Sequence, residues 1–341
     1  MASHRRAKQP GRTRVTVLTA TAAAAVALTS QAAQAAPQPS KNEVKEKVDK
    51  LYEEAEKATE KYNGAKEQQT RLQKEVDALQ DKVARGQDEL NTLRAGLGTV
   101  ASAQYRSGGL DPAVQLFLSS DPDTYLDQAS ALDQLGSKQT EALTEIQSKQ
   151  RTLAQQRKEA QAKLGDLADT RKELGTKKRE VQTRLASAQK LLNSLSAKER
   201  AALKKDESRA NRASARADLG KAVPASGRAA AAFAAGQSKI GTPYVYGASG
   251  PNSFDCSGFT SWAFAQAGVG IPRTSQAQAN AGTRIYSQSQ LKQGDLVIFY
   301  GDQHHVGFYA GNGQILHAPR TGTVVRYESI NNMPFQFGVR I

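Results

Sequence analysis

The sequence has 341 residues, enough for two domains of ordinary size, and 15 of its 20 aromatic residues (one Trp, ten Tyr, nine Phe) lie after Pro224. Residues 36–223 have instead the Ala-, Leu-, Gln-, Lys- and Glu-rich composition of long helices. The formal net charge of +14 is scattered, without a basic groove interleaved with aromatic side chains, so no nucleic-acid partner is expected, whereas an anionic polymer outside the cell fits the charge.

Residues 1–35 have the three parts of a secretory signal peptide. A basic segment ends at Arg14, residues 15–28 carry no charge, and Ala33-Gln34-Ala35 supplies the small residues of a cleavage site. The uncharged run is short and weakly hydrophobic for a membrane span, so an uncleaved anchor is the less favoured alternative. We therefore expect a secreted protein that works outside the cytoplasmic membrane.

Residues 36–200 are predicted to form a coiled-coil helical hairpin. Apolar or small residues recur at alternating steps of four and three from Val44 to Val100 and from Leu132 to Leu195. Residues 105–112 contain Gly-Gly and Asp-Pro, which stop a helix. The break separates arms of similar length and favours an antiparallel hairpin over a parallel homodimer of straight rods. The seam is interrupted at Gln69, Gly86, Gln150, Arg157, Arg171 and Lys178.

Residues 201–228 predict a basic linker or a frayed helix, because they lack a periodic apolar stripe. A globular domain is expected over residues 229–341, where helices pack on a meander of short antiparallel strands. The fold class is therefore α+β. The strand-like runs are residues 294–300, 304–310, 314–319, 323–327 and 337–341.

Cys256 is the only cysteine, so it cannot form an internal disulfide. The apolar residues that follow it have helical spacing, which places the thiol in the first helical turn with Asp255 as the N-cap. The helix dipole and the free N–H groups there favour thiolate, so we predict a pKa below the ordinary value for Cys256. A buried inert thiol is the less favoured alternative, because the flanking residues are polar.

A thiol nucleophile needs a base, and three histidines lie in the same region, namely His304, His305 and His317. If a three-residue loop at 311–313 joins the two strands that carry them, His317 lies opposite Gly307. His305 and His317 then share a face of the sheet, whereas His304 points to the other face. A two-residue turn would separate His305 from His317.

Residues 236–341 resemble the NlpC/P60 family of papain-like peptidoglycan peptidases in six ordered pieces, one of which departs at Tyr246, where relatives often have Trp. The pieces are Gly241-Thr-Pro-Tyr-Val-Tyr-Gly247, Phe254-Asp-Cys-Ser-Gly-Phe259, Ile271-Pro-Arg-Thr-Ser275, Gly294-Asp-Leu-Val-Ile-Phe299, His305-Val-Gly-Phe-Tyr309 and Leu316-His317. The resemblance implies a papain-like fold and a cysteine peptidase that needs neither a metal nor a cofactor.

The same resemblance implies roles for individual residues. Cys256 corresponds to the nucleophile, His305 to the base and His317 to the polar residue that orients the base. The residues near the oxyanion site or the substrate-binding cleft are Tyr244, Asp255, Ser257, Arg273 and Ser275. The implied substrate is the stem peptide of peptidoglycan, cut between D-glutamate and the third-position diamino acid by a D,L-endopeptidase.

Two other functions stay open at this point. One is an amidase of the related CHAP type, which cuts between the sugar lactate and the first stem residue. The other is a non-enzymatic scaffold whose coiled coil is the working part. Residues 105–135 also resemble the helical-hairpin modules of secreted murein hydrolases and their activators, which implies regulation through a membrane complex of the FtsEX type. We expect the hairpin either to restrain the enzyme or to act as a passive spacer. In the first case its apolar tip, residues 113–118 and 125–135, docks a partner or the cleft.

Overall fold

The computed structural model describes residues 40–106, 114, 117, 122–214 and 216–341. The predicted signal peptide and most of the predicted hairpin tip lie outside these residues. Two long helices come first, α1 (Lys41–Arg106) and α2 (Pro122–Ser194). Within the described ranges, no helix is long and apolar enough to cross a membrane.

Helices α1 and α2 form an antiparallel hairpin. Lys149 of α2 forms an ion pair with Glu89 of α1, and Lys163 of α2 forms one with Glu75. The residue number therefore falls along one helix as it rises along the other. This confirms the predicted hairpin over the described residues.

The apolar seam is narrower on α2 than the sequence predicted. Leu164, a predicted seam residue, is exposed. Arg157 donates a hydrogen bond to Gln87, and Arg171 donates one to Gln73, so these polar seam residues bridge the helices. Deeply buried residues recur once per heptad along much of α2, and the spacing continues to the residue just after the helix. They are Ile146, Leu153, Ala160, Leu167, Val181, Ala188 and Leu195.

Helix α3 (Ala197–Ser214) occupies much of the segment for which the sequence predicted a basic linker or frayed helix. Its start has a capping box, because the Glu199 N–H donates to Ser196 Oγ and the Ser196 N–H donates to the Glu199 carboxylate. At its end, Ser214 Oγ accepts a hydrogen bond from the Tyr327 N–H. Polar contacts thus anchor a helix that has no apolar stripe.

The remaining residues build an antiparallel sheet with helices packed on it, as the sequence predicted, although the sheet has six strands rather than five because the short strand β1 was not predicted. The strand order is β1-β6-β2-β3-β4-β5. Phe259 and Phe264 of α5 pack against Phe308 of β3, which joins the helix to the sheet. The helices are α4 (Gly227–Gln237), α5 (Cys256–Gln266) and α6 (Ser275–Gln278). The strands are β1 (Thr283–Ile285), β2 (Leu296–Phe299), β3 (His305–Gly311), β4 (Gln314–His317), β5 (Arg326–Ser329) and β6 (Phe335–Arg340).

The turn between β3 and β4 differs from the predicted three-residue loop. Gly311 pairs with Gln314 across a two-residue turn, in which Asn312 and Gly313 both have positive φ. The register then shifts by one residue between Tyr309 and Gly311. This bulge restores the predicted pairing beyond it, so a two-residue turn does not separate the histidines.

The buried heptad positions on α2 carry the stability of the hairpin. Leu167→Ala removes a side chain that packs with Leu72 and Val76 of α1, so we expect it to destabilise the hairpin by about 2 kcal/mol or more. Leu164→Ala, on the same helix but exposed, is the matched control and should change little. Urea unfolding followed by circular dichroism measures both, and equal losses would contradict the observed seam.

Candidate active site

Cys256 is the first residue of α5, and Asp255 caps the helix as predicted. The Asp255 carboxylate accepts hydrogen bonds from the N–H groups of Gly258 at 2.7 Å and Gly247 at 2.9 Å. It also pairs with Arg273, at 2.6 Å. The cap therefore fixes the helix start rigidly, and Cys256 itself is fully buried.

The adjacent strands β3 and β4 bring His305 and His317 together behind the thiol. His305 Nε2 lies 2.8 Å from His317 Nδ1, and the two rings are perpendicular. A Cβ on Gly307 would lie 2.8 Å from the Cβ of His317, so only glycine fits opposite this histidine. A ring nitrogen of His305 lies within 4.8 Å of Cys256 Sγ. The structure thus assembles the three predicted residues at one site.

His304 is directed elsewhere, as the alternation of side chains along the strand predicted. Its ring stacks on Tyr300, with centroids 4.2 Å apart, and its Nδ1 contacts the Asp302 carboxylate. The His304 carbonyl lies 3.8 Å from Cys256 Sγ. The backbone of this residue therefore borders the site, whereas its imidazole serves the loop between β2 and β3.

Helix α1 inserts acidic side chains into the site, which the sequence analysis did not foresee. The Glu56 carboxylate hydrogen-bonds to His305 Nδ1. Glu60 Oε1 lies 3.8 Å from Cys256 Sγ. Asn63 Nδ2 donates to the Asp255 carboxylate at 3.0 Å. Because all three α1 residues are buried, the helix closes the cleft over the thiol.

Two residues predicted for the substrate cleft, Ser257 and Ser275, hold the Glu60 carboxylate in this closed structure. Ser257 Oγ donates to Glu60 Oε1 at 2.7 Å, and the Ser275 N–H donates to Glu60 Oε2 at 2.6 Å. Arg273 reaches the same cluster through a 2.7 Å hydrogen bond to Ser257 Oγ. A carboxylate of the protein itself therefore occupies the polar wall of the cleft.

The prediction of a lowered pKa for Cys256 is wrong for this closed arrangement. Burial raises the pKa of the Cys256 thiol well above its ordinary value, and Glu60, Glu56 and Asp255 raise it further. Burial likewise raises the pKa of Tyr244, and the charge of Glu56 adds to this effect. The helix N-terminus cannot compensate for three nearby carboxylates in a site without solvent.

Glu56, Cys256 and His305 also present one carboxylate, one sulfur and one nitrogen ligand atom within 4.8 Å of one another. This donor set arises because the Glu56 carboxylate approaches the Cys–His pair from α1. Among the described residues it is the one group with the ligand spacing of a metal site.

A thiol at a helix N-terminus, facing two hydrogen-bonded histidines on an antiparallel sheet, defines a papain-like cysteine peptidase domain. The model of the NlpC/P60 family matches residues 241–339. Through this segment the chain belongs to the NlpC/P60 family, which confirms the resemblance seen in the sequence.

Individual relatives match the same part of the chain. A probable endopeptidase of Corynebacterium glutamicum is 48% identical over 124 residues, which are 36% of this chain and 59% of that protein. The probable endopeptidase p60 of Listeria innocua is 50% identical over 103 residues, or 30% of this chain and 21% of that protein. The match thus spans less than two thirds of either relative.

Among solved structures, the NlpC/p60 domain of peptidoglycan hydrolase SagA is 39% identical to this chain. The match covers 33% of this chain and 98% of that one, with a TM-score of 0.32.

The pH should control how firmly α1 is docked. Burial and the adjacent Asp255 raise the pKa of Glu60 to about 7, although hydrogen bonds from Ser257 and Ser275 and the charge of Arg273 oppose the shift. A raised pKa means that docking favours the protonated acid. The docked state is therefore most stable below the ordinary pKa of 4.5 and loses this stabilisation as the pH rises through about 7.

Reaction of Cys256 with a dipyridyl disulfide measures this opening in the full chain. Relative to a cysteine peptide at the same pH, protection should fall roughly tenfold or more between about pH 5 and about pH 7.5. Glu60→Gln cannot ionise but can still accept from the Ser275 N–H, so its protection should fall much less. Parallel profiles for the two proteins would refute a titrating Glu60.

Proposed function

We propose that this chain is a secreted cysteine peptidase that hydrolyses an amide bond in the stem peptides of bacterial peptidoglycan. The observation that carries the proposal is the convergence of Cys256, His305 and His317 at one buried site. Family membership and the similarity to probable endopeptidases support the reaction class. The D-glutamyl to diamino acid bond is the proposed target.

In the proposed mechanism, His305 Nδ1 takes the thiol proton of Cys256, and the thiolate attacks the substrate carbonyl. The Cys256 N–H and the Tyr244 hydroxyl stabilise the oxyanion. His305 then protonates the leaving amine, and water hydrolyses the thioester to release the product and restore the thiol. His317 orients His305 throughout.

The mechanism requires that α1 leaves the cleft, because Glu56 occupies the nitrogen that must receive the thiol proton. We therefore propose that the hairpin restrains the enzyme. The restraining element is residues 52–63 of α1 rather than the predicted tip. The described tip residues Val114 and Phe117 are exposed, and the other residues from 113 to 121 lie outside the described structure.

The proposed partners are peptidoglycan and a membrane regulator of the FtsEX type that acts through the hairpin. A CHAP-type amidase and a non-enzymatic scaffold remain the rival functions. Digestion of purified cell wall followed by mass analysis separates all three. Free D-glutamyl termini support the endopeptidase, and free lactyl groups indicate an amidase. Wall that stays intact after treatment with a variant lacking the Glu56 and Glu60 carboxylates indicates a scaffold.

Removing the α1 carboxylates should activate the full chain. Glu56→Ala and Glu60→Ala together, the unlatched variant, should hydrolyse wall several-fold faster than the wild type, since the closed state loses its hydrogen bonds to His305 and Ser275. Glu46→Ala, on an exposed face of α1, is the matched control and should not change the rate. Equal rates for the unlatched variant and wild type would make the hairpin a tether.

Substitutions in the unlatched variant test the chemistry. Cys256→Ala and His305→Ala should each reduce wall hydrolysis about 10³-fold or more, because one removes the nucleophile and the other the base. His317→Ala should reduce it less, and His304→Ala should have a mild effect, since its ring faces Tyr300. Folding is checked by circular dichroism. Hydrolysis by a folded Cys256→Ala protein would rule out the proposal.

A further inference from the structure

One ring nitrogen of His317 has no use in the mechanism above. Nδ1 faces His305, but Nε2 is buried and has no hydrogen-bond partner among the described residues. A carboxylate oxygen of Glu328, Oε2, lies 3.7 Å from this Nε2. A buried imidazole nitrogen without a hydrogen-bond partner is costly. The nearby Glu328 carboxylate is therefore a candidate partner for it.

Strand β5 aims Glu328 at His317. Arg326 pairs with His317, and Glu328 pairs with Ile315, so the four side chains share one face of the sheet. Arg326 Nε holds Glu328 Oε1 at 2.6 Å, which leaves Oε2 directed toward His317. The amide of Asn332 lies 3.5 Å from the same oxygen.

We propose that Glu328 is a positioning residue that fixes His317 in the tautomer with its proton on Nε2. The inference rests on the proposed function, since it assigns His305 as the base. In this arrangement the His317 Nε2–H points to Glu328, and Nδ1 accepts a hydrogen bond from the His305 Nε2–H. His305 Nδ1 then carries a lone pair and can take the proton of Cys256.

The opposite tautomer would disable the base. If His317 carried its proton on Nδ1, it would donate to His305 Nε2, and a neutral His305 would then have its own proton on Nδ1. That proton would point toward the thiol and prevent proton transfer. Two histidines in series therefore need a fixed acceptor at the far end, in the way that a buried carboxylate orients the histidine of a catalytic triad.

The electrostatics of the two groups agree with these roles. Burial lowers the pKa of His317 although Glu328 opposes the shift, so this histidine is neutral near pH 7 and must adopt one tautomer. Burial raises the pKa of Glu328, but the adjacent His317, together with Arg326, holds it well below its usual range. Glu328 is therefore an ionised acceptor. The remaining charged groups around the pair are Glu207 of α3, bound to Arg326, and Glu56 of α1, bound to His305.

Imidazole ¹⁵N NMR of the full chain tests the tautomer directly. The unlatched variant is used because Glu56 then does not compete for His305. We expect the His317 proton on Nε2, and we expect Glu328→Gln to give a mixture of tautomers, with Glu328→Asp intermediate. A proton on Nδ1, or a Glu328→Gln spectrum unchanged at His317, would overturn the proposal. This result does not depend on whether the protein hydrolyses peptidoglycan.

Activity supplies the second measurement in the same unlatched background. Glu328→Gln should lower wall hydrolysis roughly tenfold to a hundredfold, and Glu328→Asp should recover part of the loss. The alkaline limb of the pH–rate profile should move to lower pH, because removing a negative charge beside the histidine pair destabilises the protonated form of the site. A rate loss without a shift of the limb would indicate a structural role only.

Glu207→Gln is the matched control for this experiment. It removes a carboxylate from the other side of Arg326 without touching His317. We expect its alkaline limb and its His317 tautomer to match the parent variant. A shift as large as that of Glu328→Gln would assign the effect to the Arg326 cluster and would overturn the specific role of Glu328. If the parent variant does not hydrolyse wall at all, the proposed function fails, and NMR still decides the tautomer.

Discussion

The docking of α1 against the cysteine and histidine pair is the interaction on which the rest of the structure depends. Glu56, Glu60 and Asp255 bring three carboxylates into one buried site, where Arg273 is the nearby cation. Burial of like charges is unfavourable unless each is hydrogen-bonded. Glu60 meets this condition through Ser257 and Ser275, yet its raised pKa shows that the compensation is incomplete.

Further contacts that keep α1 in place lie around the site. Arg320 stacks on Tyr52 and pairs with Asp49, and Lys57 approaches Asp302 at the opposite edge. On its other face, α1 packs against α2 through Val44 and Val48 at the base of the hairpin. The apolar contacts of the hairpin and the contacts of Arg320 and Lys57 thus hold α1 over the buried carboxylates. Those carboxylates favour docking least when Glu60 is ionised.

Much of this fold follows from local patterns in the sequence. The heptads predict the hairpin, and Asp255 before an apolar helical run predicts the position of Cys256. The bulge between β3 and β4 could not be predicted. The shared face of His305 and His317 was therefore predicted only for a three-residue loop, because side chains alternate with a period of two along a strand. Glu328 gave no signal, since its role depends on a strand pairing that the sequence does not specify.

The acidic side chains that α1 inserts into the site were missed for a different reason. The α1 residues that face the site recur at helical spacing, but polar residues at that spacing are typical of a helix face in contact with water. They are Tyr52, Glu56, Thr59, Glu60 and Asn63. Only the docked domain makes this stripe a buried interface. The predicted direction of the Cys256 pKa shift was wrong for the same reason. Helix-dipole reasoning considers α5 alone and omits the charges brought by α1.

In the proposed mechanism, closure and catalysis compete for one atom. His305 Nδ1 can receive the proton of Cys256 or interact with Glu56, but it cannot do both. His305 Nε2 is engaged with His317 in the closed structure, so the orienting half of the site is already assembled when α1 departs. Opening therefore requires no rearrangement of the sheet. In the proposed mechanism, displacing residues 52–63 of α1 frees His305 Nδ1 for the thiol and removes the charges of Glu56 and Glu60 that raise the pKa of Cys256.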